Sequence, residues 1–220
     1  MKRDVFMPRN KYPEETVQKI LDAALHLFLK KGYEQTTILD IVKNMGGMTR
    51  GAFYHHFKSK EEVLDALGDK LFFDNNPFEK VRKQTNLTGL EKLKLILILS
   101  TESSDRNKIN IMSVQALQSP TFLKKLIDNN RNIIEPLYQE IIEEGISDGS
   151  IKTDYPKLLS QLITFLTNFW TLPMIYPSSI KENMDKLFFI KEITEKMGIP
   201  LLDSETITII MENTKNMISQ

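Results

Sequence analysis

The sequence of 220 residues contains no cysteine, a single tryptophan and no long apolar run. Without cysteine the chain cannot form disulfides, thiolate zinc sites or a cysteine nucleophile. Its longest aliphatic run, Leu95 to Leu99, is far shorter than the roughly 20 residues that a membrane-spanning helix needs. No apolar stretch follows the charged N-terminus, so no signal peptide is expected. The sequence therefore predicts a cytoplasmic protein that does not bind a membrane.

Groups typical of enzyme active sites are also scarce. The three histidines, His26, His55 and His56, barely suffice for one catalytic metal site. The sequence has no glycine-rich phosphate-binding loop, no triad-like serine or histidine and no convincing carboxylate pair. It therefore predicts a protein that is not an enzyme and that uses no metal or cofactor.

Basic and acidic residues balance at 29 each, but they are unevenly distributed. Residues 1–60 hold 11 basic and 6 acidic side chains, whereas the rest of the chain holds 18 and 23. A basic segment on an acidic body is typical of a protein that contacts a polyanion, although an excess of this size also arises by chance.

Apolar residues recur at helical spacing along the chain, and no alternating run predicts a strand. The expected N-terminal helices run from Pro13 to Lys31 and begin again at Thr37, Thr49 and Ser59, which are residue types that cap helices. Further helices are expected at about 88–103, 106–118, 120–146 with a kink at Pro136, 156–176, 179–197 and 204–218. Asn75-Asn76-Pro77 interrupts the pattern. The predicted fold is all-α, with domains at 13–74 and 75–220.

The second and third helices are separated only by Met45-Gly46-Gly47-Met48, which is the spacing of a helix-turn-helix over about 37–57. Gly46 or Gly47 can adopt the positive φ that such a turn needs. Phe53 and Phe57 are expected to face the core, so the opposite side of the third helix is exposed.

That exposed side carries small and hydrogen-bonding residues suited to DNA. The residues expected to contact DNA lie on this helix or at neighbouring helix N-termini: Thr37, Thr49, Arg50, Gly51, Ala52, Tyr54, His55, His56 and Lys60. Residues 49–52 can approach base edges, where arginine donates to guanine and small residues admit the backbone. The others suit phosphate oxygens. Thr37 and Thr49 are also plausible as helix caps alone, and Tyr54 as a half-buried core residue.

The segment from Ile20 to Leu67 resembles the DNA-binding domain of TetR-family transcriptional regulators. The matching strings are ILDAALHLF at 20–28, KGY at 31–33, TT at 36–37 and GAFYHHFKSKEE at 51–62. The resemblance implies that Thr37 and Lys60 bind phosphate, that residues 49–52 read bases and that Tyr54 clamps the DNA backbone, with His55 and His56 beside it. The turn is one residue longer than the family pattern, so either Met48 or Thr49 is the first residue to meet DNA.

Residues 75–220 carry no comparable signature, and the resemblance implies that they form a helical domain for effector binding and dimerisation. Helices at 158–172 and 204–218 are apolar enough to pack against their copies across a two-fold axis, although both could be buried within one subunit. Five residues are predicted to line an apolar ligand pocket, although such a set is also typical of ordinary core: Phe165, Phe169, Trp170, Met174 and Tyr176.

These patterns together predict a sequence-specific transcriptional regulator that binds a double-stranded DNA operator. By the habit of the family it is a repressor, forms a homodimer on a palindromic operator and is released by a small-molecule effector that the sequence does not identify. The alternative is a helical adaptor that binds proteins and not DNA. An adaptor has no need for Arg50, Tyr54 and Lys60 around one exposed surface.

Overall fold

The computed structural model describes residues 15–47, 49–74, 76–102, 120–171 and 175–218, without the side chains of 71–74, 121–122 and 215–218. These residues form two compact units. Residues 15–76 and 120–123 fall in the N-terminal unit, and residues 77–102 and 124–218 in the C-terminal unit. Each unit is built around its own set of packed helices.

Every regular element in the described ranges is helical, which confirms the predicted all-α fold class. The helices are α1 (Glu15–Lys31), α2 (Ile38–Asn44), α3 (Arg50–His56), α4 (Lys60–Asp74), α5 (Pro77–Arg82), α6 (Gly89–Glu102), α7 (Pro120–Asn129), α8 (Glu135–Asp148), α9 (Pro156–Phe165), α10 (Ile180–Lys196) and α11 (Ser204–Ile218). Two π-helical turns interrupt the series, at Asn130–Ile134 and Leu166–Trp170. None of the helices within the described ranges is both long and apolar enough to cross a membrane.

The N-terminal unit packs α2, α3 and α4 around α1. The side chains of Ile20, Ile41 and Phe53 are fully removed from solvent, and Phe57 and Leu67 are nearly so. Complete burial of one such side chain stabilises a fold by about 1.5–3 kcal/mol. The predicted inward faces of α1 and α3 are therefore confirmed, and the core fixes which side of α3 remains outside.

The predicted cap at Thr37 is confirmed as a reciprocal capping box with Asp40. Thr49 also caps its helix, because its hydroxyl accepts the Ala52 N–H at 3.2 Å. At Ser59 only half of the predicted box is seen. The Ser59 hydroxyl accepts the Glu62 N–H at 3.2 Å, whereas the Glu62 carboxylate accepts from the Lys58 N–H at 2.7 Å.

In the C-terminal unit α6 crosses α8 at two glycines. A Cβ atom on Gly89 would collide with the backbone of Gly145, so the absence of a side chain at Gly89 allows the helices to meet, whereas a Cβ atom on Gly145 would meet the Ile151 side chain. The Asp148 carboxylate accepts the Gly89 N–H at 2.7 Å, and this bond contributes to the lowered pKa of Asp148, after the larger effect of Ser150. Beside the crossing, Lys92 pairs with Glu144 at 2.6 Å.

The structure differs from the sequence expectation in the middle of the unit. The helix predicted at 120–146 contains a π turn at Asn130–Ile134, directly before Pro136. Proline has no N–H, and its ring excludes the carbonyl four residues earlier, so a wider turn relieves the conflict. The helix predicted at 156–176 ends with the second π turn at Trp170. The short helix α5 was not predicted, and the helix expected at 106–118 lies outside the described residues.

The last helix is partly buried within its own subunit. Ile207 and Ile210 of α11 are buried, and α11 packs on α6 of the same subunit. The large exposed apolar side chains of this unit lie mainly on and around α9 and α10: Tyr155, Leu158, Phe165, Tyr176, Ile180, Phe188, Phe189 and Met197. The expected pairing of 158–172 and 204–218 across a two-fold axis stays a prediction, and the exposed apolar side chains of α9 and α10 offer a second candidate surface.

Candidate DNA interface

Helix α3 is anchored by its aromatic side and presents the other side to solvent. Phe53 is fully buried and packs edge-on against Tyr54, with ring centres 5.5 Å apart. Tyr54 itself is 53% exposed, so it is not the half-buried core residue of the alternative interpretation. Its phenol hydroxyl is available to a partner outside the unit.

The predicted base-reading residues lie at the start of this exposed side. Thr49, Arg50 and Gly51 are exposed, and Ala52 is half-buried. Near the end of the helix His55 is exposed and His56 half-buried, and their rings meet edge-on at 4.9 Å. The short helix therefore brings an arginine, small residues and ring donors to one surface.

The turn before α3 depends on its two glycines. Gly46 has φ +69° and Gly47 φ +87°, so both adopt the left-handed conformation that other residues rarely do. Met45 packs into the core beside them and ends α2. Met48, the alternative first contact, lies outside the described residues.

Thr37 is exposed at the start of α2, but both of its donors are engaged. Its hydroxyl donates to the Asp40 carboxylate at 2.6 Å, and its N–H donates to the same oxygen at 2.9 Å. Lys31 pairs with that oxygen at 2.7 Å. The hydrogen bond from Lys31, followed by those from Thr37, holds the pKa of Asp40 well below its usual range.

Lys60 is half-buried and folds back onto the end of α1. Its ammonium donates to the Tyr33 carbonyl at 2.8 Å and lies 4.1 Å from the centre of the Tyr33 ring. The Tyr33 hydroxyl donates to the Glu61 carboxylate at 2.9 Å. Burial, and then this bond to Glu61, raise the pKa of Tyr33. The sequence identified Lys60 as a phosphate ligand but not as a link between α4 and Tyr33.

Sequence reasoning missed Lys58, which is exposed directly after α3. The sequence contained enough information to include Lys58, because a lysine that follows the C-terminal end of α3 lies close to the DNA-facing surface of that helix. Lys58 adds a second exposed cation at the opposite end of α3 from Arg50.

Four of the five predicted pocket residues of the C-terminal unit lie in the described part of the chain. Phe165 and Tyr176 are exposed, and Phe165 stacks on Phe169 at 6.1 Å. Trp170 is half-buried, with its ring 5.8 Å from that of Phe189. Met174 lies outside the described residues.

Trp170 and Tyr176 are brought together by Lys186. The Lys186 ammonium donates to the carbonyls of Trp170 and Tyr176, at 3.0 and 3.3 Å, and to the Ser178 hydroxyl at 3.1 Å. It lies 5.7–5.8 Å from both ring centres. This contact ties the end of the second π turn to α10.

Comparisons with known proteins agree with the N-terminal geometry. The family profile described as "Bacterial regulatory proteins, tetR family" matches residues 20–67. The chain is 26% identical over 148 residues to the HTH-type transcriptional repressor KstR2 of Mycolicibacterium smegmatis, covering 64% of this chain and 70% of the relative. This relative is named as a regulator rather than an enzyme.

Two solved structures share the fold. A bacterial regulatory protein in the tetR family from Rhodococcus RHA1 aligns with a TM-score of 0.57 and 19% identity, covering 84% of this chain and 98% of that one. A gamma-butyrolactone receptor, described as ArpA-like, aligns with a TM-score of 0.62 and 15% identity, covering 92% and 98%. At these identities the likeness concerns the fold.

Proposed function

We propose that this chain is a regulator of the TetR family, a repressor that binds a palindromic operator as a homodimer and leaves it when a small molecule binds. The observation that carries this function is the exposed side of α3. It offers Arg50, small residues and Tyr54 outward while Phe53 and Phe57 hold the helix in the core. The adaptor alternative is not favoured, because a protein-binding surface has no need for that combination.

Within the interface the residues divide into base readers and phosphate binders. Residues 49–52 enter the major groove, where Arg50 donates to guanine and Gly51 and Ala52 permit close approach. Tyr54, His55 and His56 donate to phosphates and fix the position of the helix without reading sequence.

Thr37 and Lys60 flank the groove as phosphate contacts, each from a position already held by the fold. Because Asp40 engages both donors of Thr37, a phosphate contact requires the Thr37 hydroxyl to rotate away from that carboxylate. The Lys60 ammonium is held in place by its hydrogen bond to the Tyr33 carbonyl. It therefore attracts phosphate through its positive charge without leaving that position. Both residues therefore support the surface as well as contacting it.

Dimerisation places two copies of α3 on one face of the duplex, which requires them to lie about 34–36 Å apart. The exposed apolar side chains of α9 and α10 supply the surface for this association. Leu158 is 60% exposed and Phe188 is 48% exposed. Two such helices from each subunit, related by a two-fold axis, bury this surface in a self-complementary interface.

Release by an effector requires two conformations of the dimer that differ in the spacing of their α3 helices. A small molecule lowers DNA affinity only if it binds more tightly to a conformation in which the spacing of the recognition helices is wrong. The gamma-butyrolactone receptor among the proteins of similar fold is consistent with a C-terminal unit that accepts small molecules.

The experiment that tests this function is selection of DNA from a random pool by the purified full-length protein. We expect enrichment of a palindrome of roughly 15–25 base pairs, two half-sites about one or two helical turns apart. Tyr54→Phe should weaken binding to all sequences, whereas Arg50→Ala should also relax the preference at one base position. Absence of enrichment at low salt, or binding that does not weaken as salt rises, contradicts the proposal and favours the adaptor.

A further inference from the structure

The C-terminal unit contains two π-helical turns that are joined by a pair of asparagines. Asn130 begins the first turn and Asn168 lies in the middle of the second. The Asn168 side-chain amide donates to the Asn130 side-chain carbonyl at 2.7 Å, and Asn130 is only 5% exposed. A π turn widens the helix at a cost in regular hydrogen bonding, and such turns occur frequently at functional sites. Two of them in contact make this the most irregular place in the described core.

Thr164, one helical turn before Asn168, buries a hydroxyl that has no hydrogen-bond partner among the described residues. Its side chain is 1% exposed. Neighbouring hydroxyls on the same helix are satisfied locally, since Ser160 donates to the Lys157 carbonyl and Thr167 to the Ile163 carbonyl, both at 2.8 Å. A buried hydroxyl without a partner is unfavourable, so proteins seldom retain one unless a bound group completes it.

No charged side chain is buried in the described part of the C-terminal unit. The buried polar side chains in the described part of the C-terminal unit are all uncharged: Asn130, Ser160, Thr164, Thr194 and Thr206. The facing helices α8 and α9 add buried aliphatic side chains, among them Ile141 and Ile163. A carboxylate or ammonium placed here lacks a counter-charge, whereas a neutral carbonyl or hydroxyl needs only one hydrogen bond.

We propose that Thr164, with the Asn130–Asn168 pair beside it, forms the polar end of the effector site. The effector class that it selects is an uncharged, largely apolar molecule with one carbonyl or hydroxyl group. That group bonds to the Thr164 hydroxyl, which both donates and accepts. This inference rests on the proposed effector response of the C-terminal unit and names the chemistry of the effector.

A natural reporter lies two residues after Asn168. Trp170 is the single tryptophan of the chain and the last residue of the second π turn. The full-length protein without DNA is titrated with decan-2-one, decan-1-ol and sodium decanoate while tryptophan fluorescence is followed. We expect a saturable change with the ketone or the alcohol at lower concentrations than with decanoate.

Two valine substitutions separate a ligand contact from a general effect on the core. Thr164→Val should raise the Kd of the neutral probe about tenfold, as expected for one lost hydrogen bond. Thr194→Val is the matched control, because Thr194 is equally buried but its hydroxyl donates to the Ile190 carbonyl at 2.8 Å. Its Kd should change by less than about twofold.

Melting temperatures without any probe give an independent measurement. Thr164→Val should leave the melting temperature unchanged or raise it, because it removes an unpartnered hydroxyl, whereas Thr194→Val should lower it. The proposal is overturned if neither neutral probe gives a saturable fluorescence change, or if decanoate binds more tightly than the neutral probes. It is also overturned if Thr164→Val leaves the Kd of the neutral probe unaltered, or if this variant lowers the melting temperature as Thr194→Val does. None of these results involves DNA, so a failure of operator selection counts against the proposed function and not against this site.

Discussion

The side-chain ammonium of Lys60 lies 4.1 Å from the centre of the Tyr33 ring and donates a hydrogen bond to the Tyr33 carbonyl at 2.8 Å. Through this contact the first residue of α4 holds the end of α1. Lys60, which is proposed to contact phosphate, therefore also stabilises the packing beneath the DNA-facing surface.

Replacement of Lys60 should consequently reduce stability as well as DNA affinity. Lys60→Met keeps most of the aliphatic stem but removes the charged donor, and we expect the free energy of unfolding to fall by about 1–2 kcal/mol. Urea denaturation measures this loss. Lys58→Met, at an exposed position beside α3, is the control and should alter stability by less than about 0.5 kcal/mol. Equal midpoints for the two variants would show that the contact with Tyr33 contributes nothing.

Gly51→Ala should separate stability from DNA binding. A Cβ atom there meets only the Thr49 hydroxyl at 3.6 Å, an ordinary contact, and alanine favours a helix over glycine by about 1 kcal/mol. We therefore expect a slightly more stable protein that binds the selected operator at least about tenfold more weakly, because the methyl group stands between backbone and groove. Calorimetric melting and a DNA-binding isotherm measure the two effects.

Gly47→Ala is the same substitution as Gly51→Ala but should change stability in the opposite direction. Gly47 has φ +87°, where a Cβ atom is strained by about 1–2 kcal/mol. This variant should lose stability, and its DNA binding should fall because the turn before α3 is distorted. If Gly51→Ala were also destabilised, the proposed role of the exposed backbone in α3 would need revision.

The apolar face on α9 and α10 makes a prediction about assembly. Leu158→Glu or Phe188→Glu should shift the protein from dimer to monomer at micromolar concentration, because each places a charge in the proposed apolar interface. Light scattering after size exclusion measures the mass. Ile127→Glu is the control: Ile127 is 46% exposed but lies on α7, so that variant should remain dimeric. A wild-type monomer would contradict dimerisation, and variants that all stay dimeric would place the interface elsewhere.

The phenol of Tyr33 should make stability depend on alkaline pH. Burial and the bond to Glu61 raise its folded-state pKa above the unfolded value of about 10. Above pH 10 the unfolded chain loses the phenol proton while the folded chain keeps it, so the free energy of unfolding falls as pH rises. Tyr33→Phe should flatten this decline between about pH 10 and 11, in urea denaturation at successive pH values. Below about pH 9 the two curves should run parallel; a continued parallel course at higher pH contradicts the assignment.

Features of the fold that depend on neighbouring residues were predictable from sequence. The capping box of Thr37 and Asp40 is visible in the chain as two residues three positions apart, and the structure reproduces it. The burial of Phe53 follows in the same way from helical spacing. Such features arise from local hydrogen bonds and periodicity, which the order of residues encodes directly.

Contacts between distant residues were not predictable in this way. Nothing in the local sequence indicates that Lys60 reaches Tyr33, or that Asn130 meets Asn168 across two helices. These contacts depend on how the helices pack. The exposed side of α3 could therefore be predicted from the sequence, whereas the contact between Lys60 and Tyr33 beneath it could not.

The crossing of Gly89 and Gly145 limits how the C-terminal unit can be recombined. A methyl group on Gly89 would strike the backbone of α8, which cannot move aside as a flexible side chain can. A chimaeric biosensor that takes α6 from one parent and α8 from another would therefore pack poorly unless the parent of α6 has glycine at position 89. The two helices should therefore be transferred together, and substitutions that alter effector specificity are best made at positions outside that crossing.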